Sequence, residues 1–229
     1  MAMTLSCIQD LKHGFYINLE SRKDRKIHME QQLNELGFDS IIQRFSAVKM
    51  ENGSIGCSIS HLKCLEMANK NKWGHVMILE DDLIFLKPTL FLSQLDLFLK
   101  TQQNNRWDVI LLAGNNAPPY TVIDNTCVKV TRCQTTTGYI VNGHYIETLM
   151  KNVKEGVLNL IKEPTNRFSF AIDKYWFSLQ QRDDWFLIIP LTVVQKDDYS
   201  DIEKKIVNYK HLMVDLDKKK YLTFKPLNI

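Results

Sequence analysis

The sequence predicts an α/β fold with a mostly parallel central sheet. Short apolar runs alternate with helical patterns along the chain, the order expected when crossover helices join parallel strands. The 229 residues are 45% hydrophobic and 24% charged, a globular composition able to bury about 70% of the unfolded surface. Only 9 glycines and 6 prolines are spread over the whole length, without a low-complexity linker or an internal repeat. The length allows one large domain or two small ones.

Each element has its own signal. Residues 14–19 read as a buried first strand. Residues 22–36 read as an amphipathic helix with Ile27, Met29, Leu33 and Leu36 as its apolar positions, ended by Gly37. A second strand suits 41–45. Residues 54–71 form the next helix, with Ile55, Ile59, Leu62, Leu65, Met67 and Ala68 near helical spacing. Gly74 then opens an apolar strand over 75–79 that runs straight into Glu80-Asp81-Asp82. A helix from Pro88 to about Lys100 precedes a strand over 107–112, and 113–120, with Pro118-Pro119, is expected to be loop. A weak strand near Val128, helices over 142–153 and 172–180 and a final strand over 185–189 complete the pattern. The tail from Asp215, with Lys218-Lys219-Lys220, is expected to be solvated.

Composition also excludes function classes. With 29 basic and 26 acidic side chains the net charge is +3, too even for a nucleic-acid binder working by bulk charge. No run of about 18 apolar residues suits a membrane-spanning helix, and residues 1–10 lack the basic-then-apolar order of a secretory signal. Five cysteines, Cys7, Cys57, Cys64, Cys127 and Cys133, form no C-x-x-C pair and are odd in number. Free thiols in a reducing, cytoplasmic setting are expected, and no structural zinc site is suggested. G-x-S-x-G, G-x-G-x-x-G and G-x-x-x-x-G-K-[ST] are all absent, which disfavours the serine hydrolase, dinucleotide-binding and P-loop folds.

The residues that can carry chemistry sit at strand ends and helix starts. Glu80, Asp81 and Asp82 repel one another unless solvated or met by a cation, and oxygen-only ligands suit Mg²⁺ or Mn²⁺. A polar strand exit would look the same. Arg22, Asp24 and Arg25 open the first helix, where free N–H groups and guanidinium forks favour phosphate; a solvated first turn is the alternative. Ser60 and His61 are adjacent on a helix and cannot form a serine–base pair. Asp173 lies among apolar and aromatic residues, a setting that can tune a base and equally fits a helix-surface acid.

Together these segments resemble glycosyltransferase family 25, the lipooligosaccharide and procollagen galactosyltransferase group. Tyr16-Ile17-Asn18-Leu19 with Arg22, Asp24 and Arg25 resembles its opening, residues 55–62 with Ser60 and His61 its second signature, and residues 76–82 its third. Residues 137–141, Ile172-Asp173 and residues 195–202 resemble later elements in family order, so the match spans about 14–202 and leaves 203–229 as a C-terminal extension. The resemblance implies a single domain over residues 1–229, a GT-A-type α/β/α sandwich that binds a nucleotide sugar. It implies transfer of galactose or glucose from a UDP-sugar, with inversion, to a glycan or a hydroxylysine-type hydroxyl, as in lipopolysaccharide biosynthesis. By that analogy Ile17, Asn18, Leu19, Arg22, Arg25, Ser60, His61 and Asp81 surround the donor. Glu80 and Asp82 hold Mn²⁺ or Mg²⁺ with Asp201 or His211 as the remaining ligand, and Asp173 is the base. The expected partners are a nucleotide sugar and a glycan or glycoprotein acceptor, for a bacterial or viral chain working in the cytoplasm, with no nucleic acid and no transmembrane segment. A non-catalytic module of the same fold and a metal-dependent phosphohydrolase are the competing readings. The six histidines show none of the paired spacing that the phosphohydrolase would need.

Overall fold

The computed structural model describes residues 5–101 and 107–218. In chain order its strands are β1 (Gly14–Asn18), β2 (Ile42–Ser46), β3 (His75–Glu80), β4 (Leu83–Phe85), β5 (Val109–Leu111), β6 (Asn115–Asn116) and β7 (Tyr120–Val122). They continue as β8 (Cys127–Val130), β9 (Cys133–Gln134), β10 (Gly138–Asn142), β11 (Trp185–Ile188), β12 (Val193–Gln195), β13 (Asp198–Ser200) and β14 (Lys205–Val207). The helices are α1 (Lys23–Leu36), α2 (Gly53–Lys70), α3 (Pro88–Thr101), α4 (Ile146–Lys162), α5 (Arg167–Phe170), α6 (Ile172–Tyr175), α7 (Phe177–Arg182) and α8 (Lys210–Met213).

Eight strands form the central sheet in the order β2-β1-β3-β10-β5-β11-β8-β7. β10 runs against both its neighbours, and β8 against both of its own, so the other six strands share one direction. Alternate residues of each strand feed opposite faces. Tyr16, Met77, Ile110 and Ile140 pack with α1 and α3 on one face. Phe15, Ile78, Val109 and Tyr139 pack with α2 and α4 on the other. The result is the expected α/β/α sandwich with a mostly parallel sheet.

Helix starts and stops follow local chemistry. The Asn52 side chain caps α2 by accepting from the N–H groups of Ser54 and Ile55. Pro88 opens α3 at a position where no backbone donor is needed. Gly37, at φ 70°, closes α1 in the left-handed conformation the sequence called for.

Several expectations need correction. Ile27 lies on the exposed face of α1, 57% accessible, and the buried stripe is Arg25, Met29, Leu33 and Leu36. Ile27 is two residues, about 200°, from Arg25 and Met29, which places it opposite them. Met67 is likewise exposed on α2. The helix expected over 142–153 starts at Ile146 and continues to Lys162, because Asn142 ends β10 and Gly156 does not break the helix. Gly156 faces the ring of Tyr175, where a Cβ would come within 3.1 Å. The helix expected over 172–180 is split at Trp176, whose buried indole N–H donates to the Cys133 carbonyl. The 113–120 loop contains the short strand β6, paired with β9. β11 is not the last strand: β12 pairs with β4, and β13 with β14. Lys218 is not solvated; its ammonium donates to the carbonyls of Leu212 and Asp215, while Lys219 and Lys220 lie outside the described residues.

Gly56 fixes how closely α2 approaches the 47–50 segment. A Cβ there would stand 2.5 Å from the Val48 carbonyl oxygen, a backbone atom with little room to yield. Gly56→Ala is therefore expected to lower unfolding free energy by about 1–3 kcal/mol in urea titrations, the cost typical of overpacking.

Candidate functional site

The chain leaves β1 to form β2 on one side, then crosses back to place β3 on the other. That reversal leaves a crevice outside the carboxyl ends of β1 and β3, the usual ligand position in open α/β sheets. Asn18 ends β1 and Glu80 ends β3, with Asp81 and Asp82 in the turn before β4. Residues 75–79 are buried on both faces of the sheet, so the first polar residue falls where the strand emerges.

Arg25, on the first turn of α1, turns into this crevice. Its Nη1 donates to Asp81 Oδ1 at 2.9 Å and to Asp82 Oδ2 at 3.1 Å. Its Nε donates to Asp198 Oδ2 at 3.0 Å and its Nη2 to the Tyr199 carbonyl at 3.0 Å. Arg22 adds contacts to Asp24, Asp198 and Asp201 at 2.7–2.9 Å. The two guanidiniums thereby fasten the β13 segment over the ends of β1 and β3. Asn18 donates to Asp81 Oδ2 at 2.7 Å and accepts from Arg44 Nε at 2.9 Å.

The three carboxylates have different surroundings. Burial and the neighbouring Glu80 charge push Asp82 up to about 7, against the pull of Arg25. Its Oδ2 also accepts from Gln195 Nε2 at 2.9 Å, while its buried Oδ1 has no partner among the described residues. Asp81 is raised as well, again by burial first. Glu80 goes the other way: burial alone would raise it, but His61 and the Thr136 hydroxyl outweigh burial and hold it below its ordinary value.

Glu80 Oε1 is a meeting point. It accepts from Thr136 Oγ1 at 2.6 Å and lies 3.4 Å from His61 Nε2 and 3.8 Å from Cys57 Sγ. Cys57 and His61 are four residues apart on α2 and so share a face. His61 Nδ1 lies 2.9 Å from the buried Tyr139 hydroxyl. The Ser60 hydroxyl is engaged structurally, donating to the Gly56 carbonyl at 2.7 Å and accepting from Val48 N–H at 2.8 Å.

Two cavities meet here. One, of about 270 Å³, is lined by Ile17, Leu19, Arg22, Arg25, Ser60, His61, Asp81, Asp82 and Asp201. The other, of about 350 Å³, is lined by Thr135, Thr136, Arg167, Phe168, Asp173 and Lys174. Both include Cys57, Glu80 and Gln195. Asn18 stands just behind the smaller cavity, 1% exposed. Asp173 accepts from the Thr135 N–H at 3.3 Å and is raised by burial. Thr135 sits at φ 78°, a left-handed conformation that turns this amide to its partner. His211 contacts Asn208 and is not among the residues lining either cavity.

Sequence reading did not assign Cys57, Thr136 or Asp198 to the site. The spacing of Cys57 and His61 on one helix face was a usable signal. Thr136 and Asp198 carry no local signal, since each reaches the site only through long-range pairing. All five cysteines are free thiols. No described helix is long and apolar enough to cross a membrane.

A family model described as glycosyltransferase family 25 (LPS biosynthesis protein) matches residues 38–176. No curated protein sequence matches the chain significantly. Among solved structures, a mannose-1-phosphate geranyltransferase from Thermus thermophilus shares 7% identity, with 78% of this chain and 73% of that one covered, at a TM-score of 0.42. A glycosyltransferase involved in glycosylation of the PBCV-1 major capsid shares 10% identity, with 78% and 93% covered, at 0.43. A Drosophila beta-1,4-galactosyltransferase 7 in complex with manganese, UDP-Gal and xylobiose shares 10% identity, with 95% and 81% covered, at 0.39. These likenesses are distant.

The raised Asp82 carboxyl makes stability depend on pH. Its folded value of about 7 lies above the unfolded value of about 3.9. Between the two the folded state binds the extra proton, so this group's contribution to stability falls as pH rises. In metal-free buffer, the unfolding free energy of wild type minus that of Asp82→Asn is expected to decrease from about pH 5 to pH 8 in urea titrations. A flat difference would show that Asp82 is not perturbed.

Proposed function

The chain belongs to glycosyltransferase family 25, and on that premise we propose that it transfers galactose or glucose from a UDP-sugar, with inversion, to the hydroxyl of a glycan or hydroxylysine-type acceptor. The family's description makes a lipopolysaccharide glycan the first acceptor to test. One observation carries the reading: the carboxylates of Glu80, Asp81 and Asp82 stand with Arg22 and Arg25 in the crevice where strand order reverses. In this reading the smaller cavity takes the donor and the larger one, with Asp173, takes the acceptor. The whole chain would act as one domain, and its free thiols suit a reducing cytoplasm.

Glu80, Asp82 and Asp201 offer only oxygen, the donor chemistry of Mn²⁺ or Mg²⁺, and Asp82 Oδ1 has no hydrogen-bond partner among the described residues. The structure does not draw the three together: Glu80 faces His61 and Thr136, Asp82 is paired with Arg25 and Asp201 with Arg22, so a cation held by all three would have to displace these contacts. A cation held there would neutralise charge developing on the leaving diphosphate. Ile17, Asn18 and Leu19 would border the nucleotide, and His61 and Ser60 would shape the wall beside it. Arg22 and Arg25, at the start of α1, would orient the phosphates. Asp173 would take the proton of the acceptor hydroxyl as that oxygen bonds to the anomeric carbon and the bond to the diphosphate oxygen breaks. Burial raises its basicity in the direction a general base requires.

Isothermal titration with UDP, with and without Mn²⁺, tests the donor site on wild type and Asp82→Ala. Metal-dependent binding that vanishes in the variant is expected; no binding under any condition would favour a non-catalytic module of the same fold. Asp173→Asn is expected to retain UDP binding and to lose about 10²–10⁴-fold in turnover once a donor and acceptor pair is found. Near-normal turnover would remove Asp173 from the base role.

A further inference from the structure

Cys57, His61 and Glu80 present sulfur, nitrogen and oxygen ligand atoms within 4.8 Å of one another. We infer that these three side chains form a site for a borderline-soft divalent cation such as Zn²⁺, distinct in donor chemistry from the oxygen-only set of Glu80, Asp82 and Asp201.

The distances argue for it. Tetrahedral zinc with bonds of about 2.3 Å to sulfur and about 2.0–2.1 Å to nitrogen and oxygen sets S···O near ~3.5 Å and N···O near ~3.4 Å. The observed separations are 3.8 Å for Cys57 Sγ to Glu80 Oε1 and 3.4 Å for His61 Nε2 to Glu80 Oε1. The third pair, Cys57 Sγ and the His61 ring nitrogen, lies within 4.8 Å, so closing the set is a matter of side-chain adjustment about the shared Glu80 oxygen. As a hydrogen bond the 3.4 Å contact between His61 Nε2 and Glu80 Oε1 is long.

The supporting shell is also in place. The Tyr139 hydroxyl at His61 Nδ1 would fix the imidazole with Nε2 free to bind. The Thr136 hydroxyl orients the Glu80 carboxylate. Binding would release one proton from the Cys57 thiol, and the resulting thiolate and the Glu80 carboxylate together would cancel the charge of the ion. Three protein ligands leave a fourth position, and Cys57 and Glu80 border both cavities, so that position opens toward space a water or substrate oxygen can enter. Sulfur and imidazole donors select zinc or cobalt over manganese and magnesium.

The test uses the full chain stripped with a chelator and titrated with Co²⁺ and Zn²⁺. Wild type is expected to bind one equivalent and to show a near-ultraviolet sulfur-to-cobalt charge-transfer band. Cys57→Ser should lose the band, and Tyr139→Phe should weaken zinc binding about 10–100-fold. Absence of the band in wild type, which needs no variant to fold, would overturn the inference. So would zinc affinity unchanged in a folded Cys57→Ser, since zinc would then sit elsewhere. Repeating the titrations with Asp82→Asn separates the two readings: zinc binding should persist there even if UDP and Mn²⁺ no longer bind.

Discussion

The buried guanidinium of Arg25 is the interaction on which the site depends. Three carboxylates, from Asp81, Asp82 and Asp198, converge on it from β3's exit turn and from β13. Without a cation there, like charges at the end of a buried strand would repel, and partly buried carboxylates would lose their counter-charge at a cost of several kcal/mol. Arg25 also explains the unusual buried stripe of α1, where a charged residue takes the position next to Met29 and Leu33. The helix is anchored by hydrophobic contact along most of its length and by an ion pair at its first turn.

The same contact ties distant parts of the chain together. Residues of α1, β3 and the β13 segment are far apart in sequence, yet Arg22 and Arg25 bind all three. This arrangement leaves Asp82 with an oxygen that no described residue satisfies, while Glu80, two residues earlier, is turned toward α2 and Thr136. Two acids of one triplet thus have opposite electrostatic settings: burial and Glu80 raise Asp82, while His61 and Thr136 hold Glu80 low.

How much of this was legible follows from the range of the interactions. β1, β3 and β11 were readable as apolar runs because both faces of the central sheet are covered, and Gly37 was readable because only a left-handed residue ends α1 in that way. β6 and β13 were not readable: unlike the equally short β5, which lies in an apolar run, they have no pattern of their own and are defined by their partners. α4 runs beyond its expected end through Gly156, whose place is set by the close approach of Tyr175, a tertiary fact. In the site, Glu80, Asp81 and Asp82 stood out by being contiguous. The partition among them did not, because it is set by Arg25, His61 and Gln195, residues that sequence distance hides.

The reversed direction of β10 has an architectural consequence. Its amino-terminal end arrives where β3 finishes, and the Glu80 N–H donates to the Thr137 carbonyl at 2.9 Å. An incoming segment and an outgoing one therefore border the same crevice from opposite chain directions. Residues 134–136 shape the larger cavity, whereas the smaller one is framed by β1 and the exit of β3. Thr136, in the segment ahead of β10, holds Glu80, which borders both cavities, so a change of length in that segment would be felt at both walls.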